Sequence, residues 1–265
     1  MRRDLAIVGI LSIIFTILGE LIAQTTIVPT PLSDKGQEIR HAFDTLVMFA
    51  IPVFVVVVVT LVYSVVQYRN RGLPERDGPA QFGRGSIPFV WFGVTSSLAV
   101  LLMVYPGLTS LPGIVNVATH PDLDVQVQGM QWAWMVTYPR YRVTTRAELV
   151  LPVDRTVRFE ITSADVVHSF WIPAFMMRID AVPGMTTRLS LRPTQTGSYA
   201  TNSNLRLQCS QLCGLGHTVM VMPVRVVSGA EFDAWIQQQP KTAQASAGPA
   251  TPQPETAQIA GGGMK

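Results

Sequence analysis

The stretch that most constrains this chain is Val53-Phe-Val-Val-Val-Val-Val-Thr60, set inside an apolar run over residues 43–68. A run this long and this apolar exceeds an ordinary strand, while about 20 apolar residues as a helix cross the ~30 Å hydrocarbon core of a bilayer. A helix buried in a soluble core is the alternative. Residues 87–108 repeat the pattern, with Trp91 and Tyr105 near the ends as interfacial anchors. Between the two runs, residues 69–84 carry Arg69, Arg71, Arg76 and Arg84 against Glu75 and Asp77. The positive-inside rule places that loop in the cytoplasm and both ends of the hairpin outside. Arg2 and Arg3 ahead of the apolar residues 5–23 fit the same topology. Residues 1–23 read either as a secretory signal peptide, with Ala23 as the cleavage position, or as a first membrane helix. Residues 24–40, with Pro29 and Pro31, read as a polar linker.

Past residue 119 the period changes. Residues 124–128, 156–161, 187–191 and 220–226 alternate apolar and polar, and Pro152, Pro183-Gly184, Pro193 and Gly197 punctuate them. Many short strands separated by such turns predict an all-β sandwich or barrel. No further apolar run follows, so residues 119–239 form a soluble domain on the extracytoplasmic side. Ser228-Gly-Ala-Glu231 has the form of a capping box opening a short helix over 230–238, with Phe232, Trp235 and Ile236 packing back. Residues 240–265, rich in Ala, Gln, Pro and Gly, read as a flexible tail. From 120 to 240, nine acidic residues stand against ten basic ones, so the domain has no net negative field to steer a strongly basic partner. No nucleic-acid partner is expected.

The chemistry concentrates in Cys209-Ser-Gln-Leu-Cys213-Gly-Leu-Gly-His217-Thr-Val-Met220, which holds the chain's two cysteines. Thiolate, imidazole and thioether form a soft donor set that suits copper best, ahead of zinc or an iron–sulfur cluster. Two cysteines in an exported domain also make a disulfide. A blue-copper centre takes one cysteine and two histidines, one thiolate fewer than this loop offers. Two thiolates bridging two coppers need a second histidine from elsewhere. His41 adjoins an apolar run and His120 precedes the first strand; His168 lies mid-domain in Asp165-Val-Val-His168-Ser.

Together with Asp180-Ala-Val-Pro-Gly184 and Gly129-Met-Gln-Trp132-Ala-Trp134, these segments resemble subunit II of the haem-copper cytochrome c oxidases over residues 40–238. The resemblance implies an N-terminal transmembrane hairpin, or three helices, and an all-β cupredoxin Greek-key barrel carrying a dinuclear CuA centre. In that reading Cys209 and Cys213 bridge two coppers. His168 and His217 are terminal ligands, and Met220 and the backbone carbonyl of Gln211 are weak ones. Trp132 is where the electron enters, although Trp132 and Trp134 share one face if both lie in a strand. Asp165 would fix the loop or the orientation of a histidine; as a surface acid it would do neither. Arg178 and Asp180 fall where relatives meet the haem-bearing subunit; the alternative is a surface ion pair.

The implied partners are subunit I, with its haem and further copper, the other oxidase subunits, membrane lipid, and a cytochrome c or cupredoxin donor. The implied place is the plasma membrane. The chain departs from the family pattern at three positions. Gln211 replaces a glutamate, and a neutral amide is a weak ligand for magnesium. Ala133 replaces a tyrosine. Pro88 stands near a glutamate that admits protons in many relatives. The segment 200–208 is longer than usual. Other readings are a quinol-oxidase subunit II, which would lack the copper ligands, a nitric oxide reductase with the same centre, and a membrane-anchored binding module held by a disulfide.

Overall fold

The computed structural model describes residues 2–25, 28–69, 72 and 85–241. The arginine-rich loop over 69–84, apart from residues 69 and 72, and the tail beyond 241 lie outside the described residues.

Among the described residues, three helices are long and apolar enough to cross a membrane. Helix α1 is Arg2–Ala23 and packs on α2, Asp34–Gln67. Helix α3, Ile87–Leu102, is followed by a kinked segment, Met103–Leu108, and then by α4, Thr109–Val115. Their side chains face outward as a lipid-facing surface requires: Phe54 is 68 % and Phe89 79 % exposed.

The helices outrun the expected spans of 43–68 and 87–108. At α2 the reason is capping. Ser33 accepts from the backbone N–H of Gly36 at 3.0 Å, and Asp34 sits in the first turn, where a negative charge suits the helix dipole. Residues 34–42 are therefore helical despite their polarity. Of the residues read as linker, only those up to 33 precede the helix. At 34 residues α2 is about 51 Å long, well beyond a bilayer's hydrocarbon thickness. The third segment differs: at Tyr105 the backbone leaves the helical region (φ −134°, ψ 118°) ahead of Pro106, so the helix kinks there and a second helical piece runs on to Val115.

The remainder is a cupredoxin-like β domain of two sheets. The first has the order β3-β2-β1-β5-β8: Val143–Thr145, Ala133–Tyr138, Leu123–Met130, Val157–Ser163 and Thr187–Leu191. The second runs β4-β11-β10-β6-β7: Leu149–Pro152, Val221–Val227, Arg206–Cys209, His168–Ile172 and Met177–Ala181. The short β9, Gly197–Ser198, pairs with β11.

Inward residues alternate along β1 and β5, so Val125, Val127, Phe159 and Ile161 meet Phe170, Leu207 and Val224 in one core. Tyr138 is fully buried, and its hydroxyl both donates to and accepts from the Val150 backbone at 2.9 Å. This satisfies a polar group that would otherwise destabilise the core. Helix α5, Gly229–Gln238, is capped by Ser228, which accepts from Glu231 N–H at 3.2 Å. The Glu231 carboxylate meets Arg225 at 3.3 Å. Phe232 and Ile236 seal the core edge.

Strand directions give this domain two distinct ends. Strands β1 and β5 run parallel, and β8 runs back against β5. One end collects the starts of β1 and β5 and the exits of β6 and β8. There residues 32–36 form a clasp. Leu32 N–H donates to Ala174 at 2.7 Å, Asp34 N–H to Arg192 at 3.1 Å, and Ser33 Oγ to Phe175 at 3.1 Å. Lys35 Nζ donates to the carbonyls of Ile114 and Asn116, at the C-terminal end of α4. The segment 200–208 turns back on itself, and its Asn204 carbonyl accepts from Ala174 at this same end. The other end holds the exits of β1, β5, β7 and β10 and the starts of β2, β6, β8 and β11, with their connecting loops.

Candidate metal centre

The second end gathers the six donor residues singled out by sequence. Cys209 closes β10, His168 opens β6, and Gln211, Cys213, His217 and Met220 lie on the loop from β10 to β11. The two sulfurs are 3.7 Å apart and both thiols are free. A disulfide needs about 2.05 Å, so this pair is not one.

The donors fall into two matching sets. Cys209 Sγ lies 3.9 Å from His168 Nδ1 and 3.1 Å from the Gln211 carbonyl oxygen. Cys213 Sγ lies 3.6 Å from His217 Nδ1 and 4.0 Å from Met220 Sδ. The ligating atoms of His168, Cys209 and Cys213 all lie within 4.8 Å of one another. His168 and Met220 are fully buried. Burial, and then the Cys209 sulfur beside it, push the Cys213 thiol up to about 11. The Cys213 thiol, raised in this way, keeps its proton until a cation replaces it.

Asp165 acts behind His168. His168 Nε2–H donates to Asp165 Oδ1 at 2.8 Å, which leaves Nδ1 unprotonated and aimed at Cys209. Burial would raise the Asp165 carboxyl. The Gln131 N–H at 2.7 Å, the His168 ring and the Val166 N–H at 2.6 Å outweigh it and hold the group at about 2.

The two tryptophans separate. Trp132 precedes β2, which begins at Ala133, so the expectation that it shares a strand face with Trp134 does not hold. Its ring lies across the metal loop and is 39 % exposed, and its indole N–H donates to the Cys213 carbonyl at 3.1 Å. Trp134 is buried in β2, edge-on to His168 and Phe170. Gln131, which stands in the quoted motif without a role assigned to it, also donates to the Cys213 carbonyl, at 2.7 Å.

The loop glycines have specific causes. Gly214 has φ +112°, a conformation that glycine alone adopts readily. A Cβ on Gly216 would come within 2.4 Å of the Trp132 ring. Arg178 and Asp180 lie on β7, half exposed and 3.8 Å apart, and Arg178 Nε also donates to Ser169 Oγ at 3.1 Å. They form the surface ion pair named as the alternative, next to the strand that carries His168.

Membrane helices bearing a cupredoxin-like domain with a buried sulfur–imidazole cluster define a membrane-anchored protein with copper-type donors. Comparison with known proteins agrees. Residues 141–228 match the family model for the periplasmic domain of cytochrome c oxidase subunit II. A probable cytochrome c oxidase subunit 2 of Rickettsia bellii is 27 % identical over 234 residues, covering 80 % of this chain and 83 % of the relative. Cytochrome c oxidase subunit 2 of Thermostichus vulcanus is 26 % identical, covering 80 % and 78 %. The crystal structure of the periplasmic domain of cytochrome oxidase subunit II of Bradyrhizobium japonicum is 32 % identical. That alignment covers 45 % of this chain and 94 % of that one, with a TM-score of 0.42. The chain belongs to the cytochrome c oxidase subunit II family: it is a membrane-anchored terminal-oxidase subunit whose β domain is periplasmic.

Proposed function

We propose that this chain holds a dinuclear copper centre and is the electron-input subunit of its oxidase. It takes single electrons from a cytochrome c or a similar small carrier and passes them to haem in the large partner subunit. The observation that carries this reading is the doubled donor set. Each sulfur has its own imidazole Nδ1, at 3.9 and 3.6 Å, and its own weak donor, Gln211 O or Met220 Sδ. A single blue-copper site would use one thiolate and leave the other buried and idle.

In this reading Cys209, Cys213, His168 and His217, with Met220 and the Gln211 carbonyl as weaker donors, would hold the copper pair. When bound, the copper pair supplies a one-electron relay and no bond chemistry. The chain's own residues do the rest. Asp165 keeps the His168 Nε2 proton away from the metal-facing nitrogen. Trp134 and the buried wall around His168 and Met220 exclude water. Trp132 and Gln131 hold the Cys213 carbonyl, so an exposed indole is hydrogen-bonded to a ligand residue. Gln211 offers no carboxylate, so the reading includes no magnesium contact from this side chain.

Metal analysis of the purified oxidase, corrected for the copper held by its large subunit, tests the proposal. Two coppers per copy of this chain, with the spectrum of an electron shared between them, is the expected result. One copper with a blue-copper spectrum favours the mononuclear alternative.

A further inference from the structure

We propose that the metal end docks its electron carrier through an uncharged apolar face built on the metal loop itself; this rests on the electron-input reading above. The observation is where the β domain exposes apolar side chains. Over residues 116–241 the large exposed ones are Trp132, Val166, Val167, Met185, Tyr199, Leu212, Leu215, Val219 and Val221. All but Tyr199 lie at the metal end. Scattered exposed apolar residues need no explanation, but a cluster at one end marks an interaction surface. Leu215 is 99 %, Leu212 78 % and Val219 73 % exposed, so none of them contributes to the core.

The four metal-end loops are continuous with one another. Gln131 N–H donates to Asp165 at 2.7 Å, and Gln131 and Trp132 both donate to the Cys213 carbonyl. A bridge joins Ser163 to Pro183 of the β7–β8 loop. Leu215 stands between Gly214 and Gly216, the two residues on which the Trp132 ring rests.

Charge defines the occupant. Residues 131–132, 164–167, 182–186 and 210–220 contain one acidic residue and no Lys or Arg. The acid, Asp165, is taken up by Gln131 N–H, Val166 N–H and the His168 ring. A lysine-ringed partner would lose water from its ammonium groups here and gain no carboxylate in return. A carrier whose haem or copper edge is framed by uncharged apolar side chains meets no such penalty. It removes Leu212, Leu215 and the Trp132 edge from water together. Association by this route gains no long-range steering, so its rate is nearly independent of salt.

The experiment is stopped-flow reduction of the purified, intact oxidase. Two reduced probes serve, a small blue-copper protein with an uncharged apolar metal edge and a lysine-rich cytochrome c. The parent and the double variant Leu212→Ser/Leu215→Ser are compared, each checked for copper content and for reduction by ascorbate with a small mediator. We expect the apolar probe's second-order rate to fall about tenfold in the double variant, with less than about twofold change across salt in the parent. The lysine-rich probe should be the slower one on the parent. An unchanged rate in the double variant, or a steep fall with salt in the parent, overturns the proposal. Loss of the large subunit from the purified variant also overturns it, by assigning the patch to the subunit interface. Failure of the parent centre to accept electrons from the mediator instead counts against the electron-input reading itself.

Discussion

The two ends of the β domain are fastened in opposite ways. At the clasp end, Asp34 N–H donates to the Arg192 carbonyl at 3.1 Å, Arg192 N–H reaches the Asp34 carboxylate at 2.8 Å, and Thr194 N–H closes on the Leu32 carbonyl at 3.0 Å. Each of these donors has a partner within the chain. At the metal end the imidazole nitrogens, thiols and thioether face one another at 3.6–4.0 Å, too far apart for strong mutual bonds. The clasp closes through backbone bonds within the polypeptide, whereas the metal end presents a donor set that a soft cation would complete. Stability and function are thus separated along strands β6 and β8.

Substitutions at each end probe that separation. The largest effect is expected from Cys213→Ser, which removes one of the two sulfurs of the proposed centre. The shared-electron spectrum should vanish and copper bound by this chain should fall to one ion or none, with the clasp unchanged. A parental spectrum in this variant would remove Cys213 from the centre. Asp165→Asn comes next. With no carboxylate to fix the His168 tautomer, copper affinity should drop about 10- to 100-fold. Competition with a chelator measures this.

Two groups at the metal end should give pH dependences of opposite sign. The Cys213 thiol is raised from 9.0 to about 11, so the metal-free folded form keeps a proton that the unfolded chain gives up. Stability of the metal-free protein should therefore fall as pH rises from about 9 to about 11, whereas the copper-loaded protein, already deprotonated there, should not follow it. Asp165 has the opposite sign. Its carboxyl is depressed from 3.8 to about 2, so its contribution is present above about 3.8 and disappears as pH falls through about 2. Thermal melts with and without copper across this range would show both effects. The smallest effect is expected from Ser33→Ala. Loss of the helix cap should cost about 1 kcal/mol, seen as a slightly lower melting temperature, with an unaltered copper spectrum.

The metal end was legible in the sequence because its residues are chemically rare. Two cysteines, a nearby histidine and a methionine at fixed spacing leave few donor sets, and the family pattern pointed to His168. The strands at 124–128 and 187–191 showed in their alternation. The clasp did not, because its partners are 142 and 158 residues away for Ser33–Phe175 and Asp34–Arg192, and local polarity around 34–40 looks like a linker. Trp132 and Trp134 were inseparable by a period-two rule, because where β2 begins decides which of them is exposed. The requirement for glycine at 216 comes from the Trp132 ring packed on it, a contact that local sequence does not show.

Helix α2 passes without interruption from the apolar layer into the clasp. A rod about 51 Å long that tilts by about 10° carries its far end sideways by about 9 Å. The periplasmic domain is thus geared to the thickness of the surrounding lipid, and electron-delivery rates compared across bilayers of different acyl length would read out that gearing.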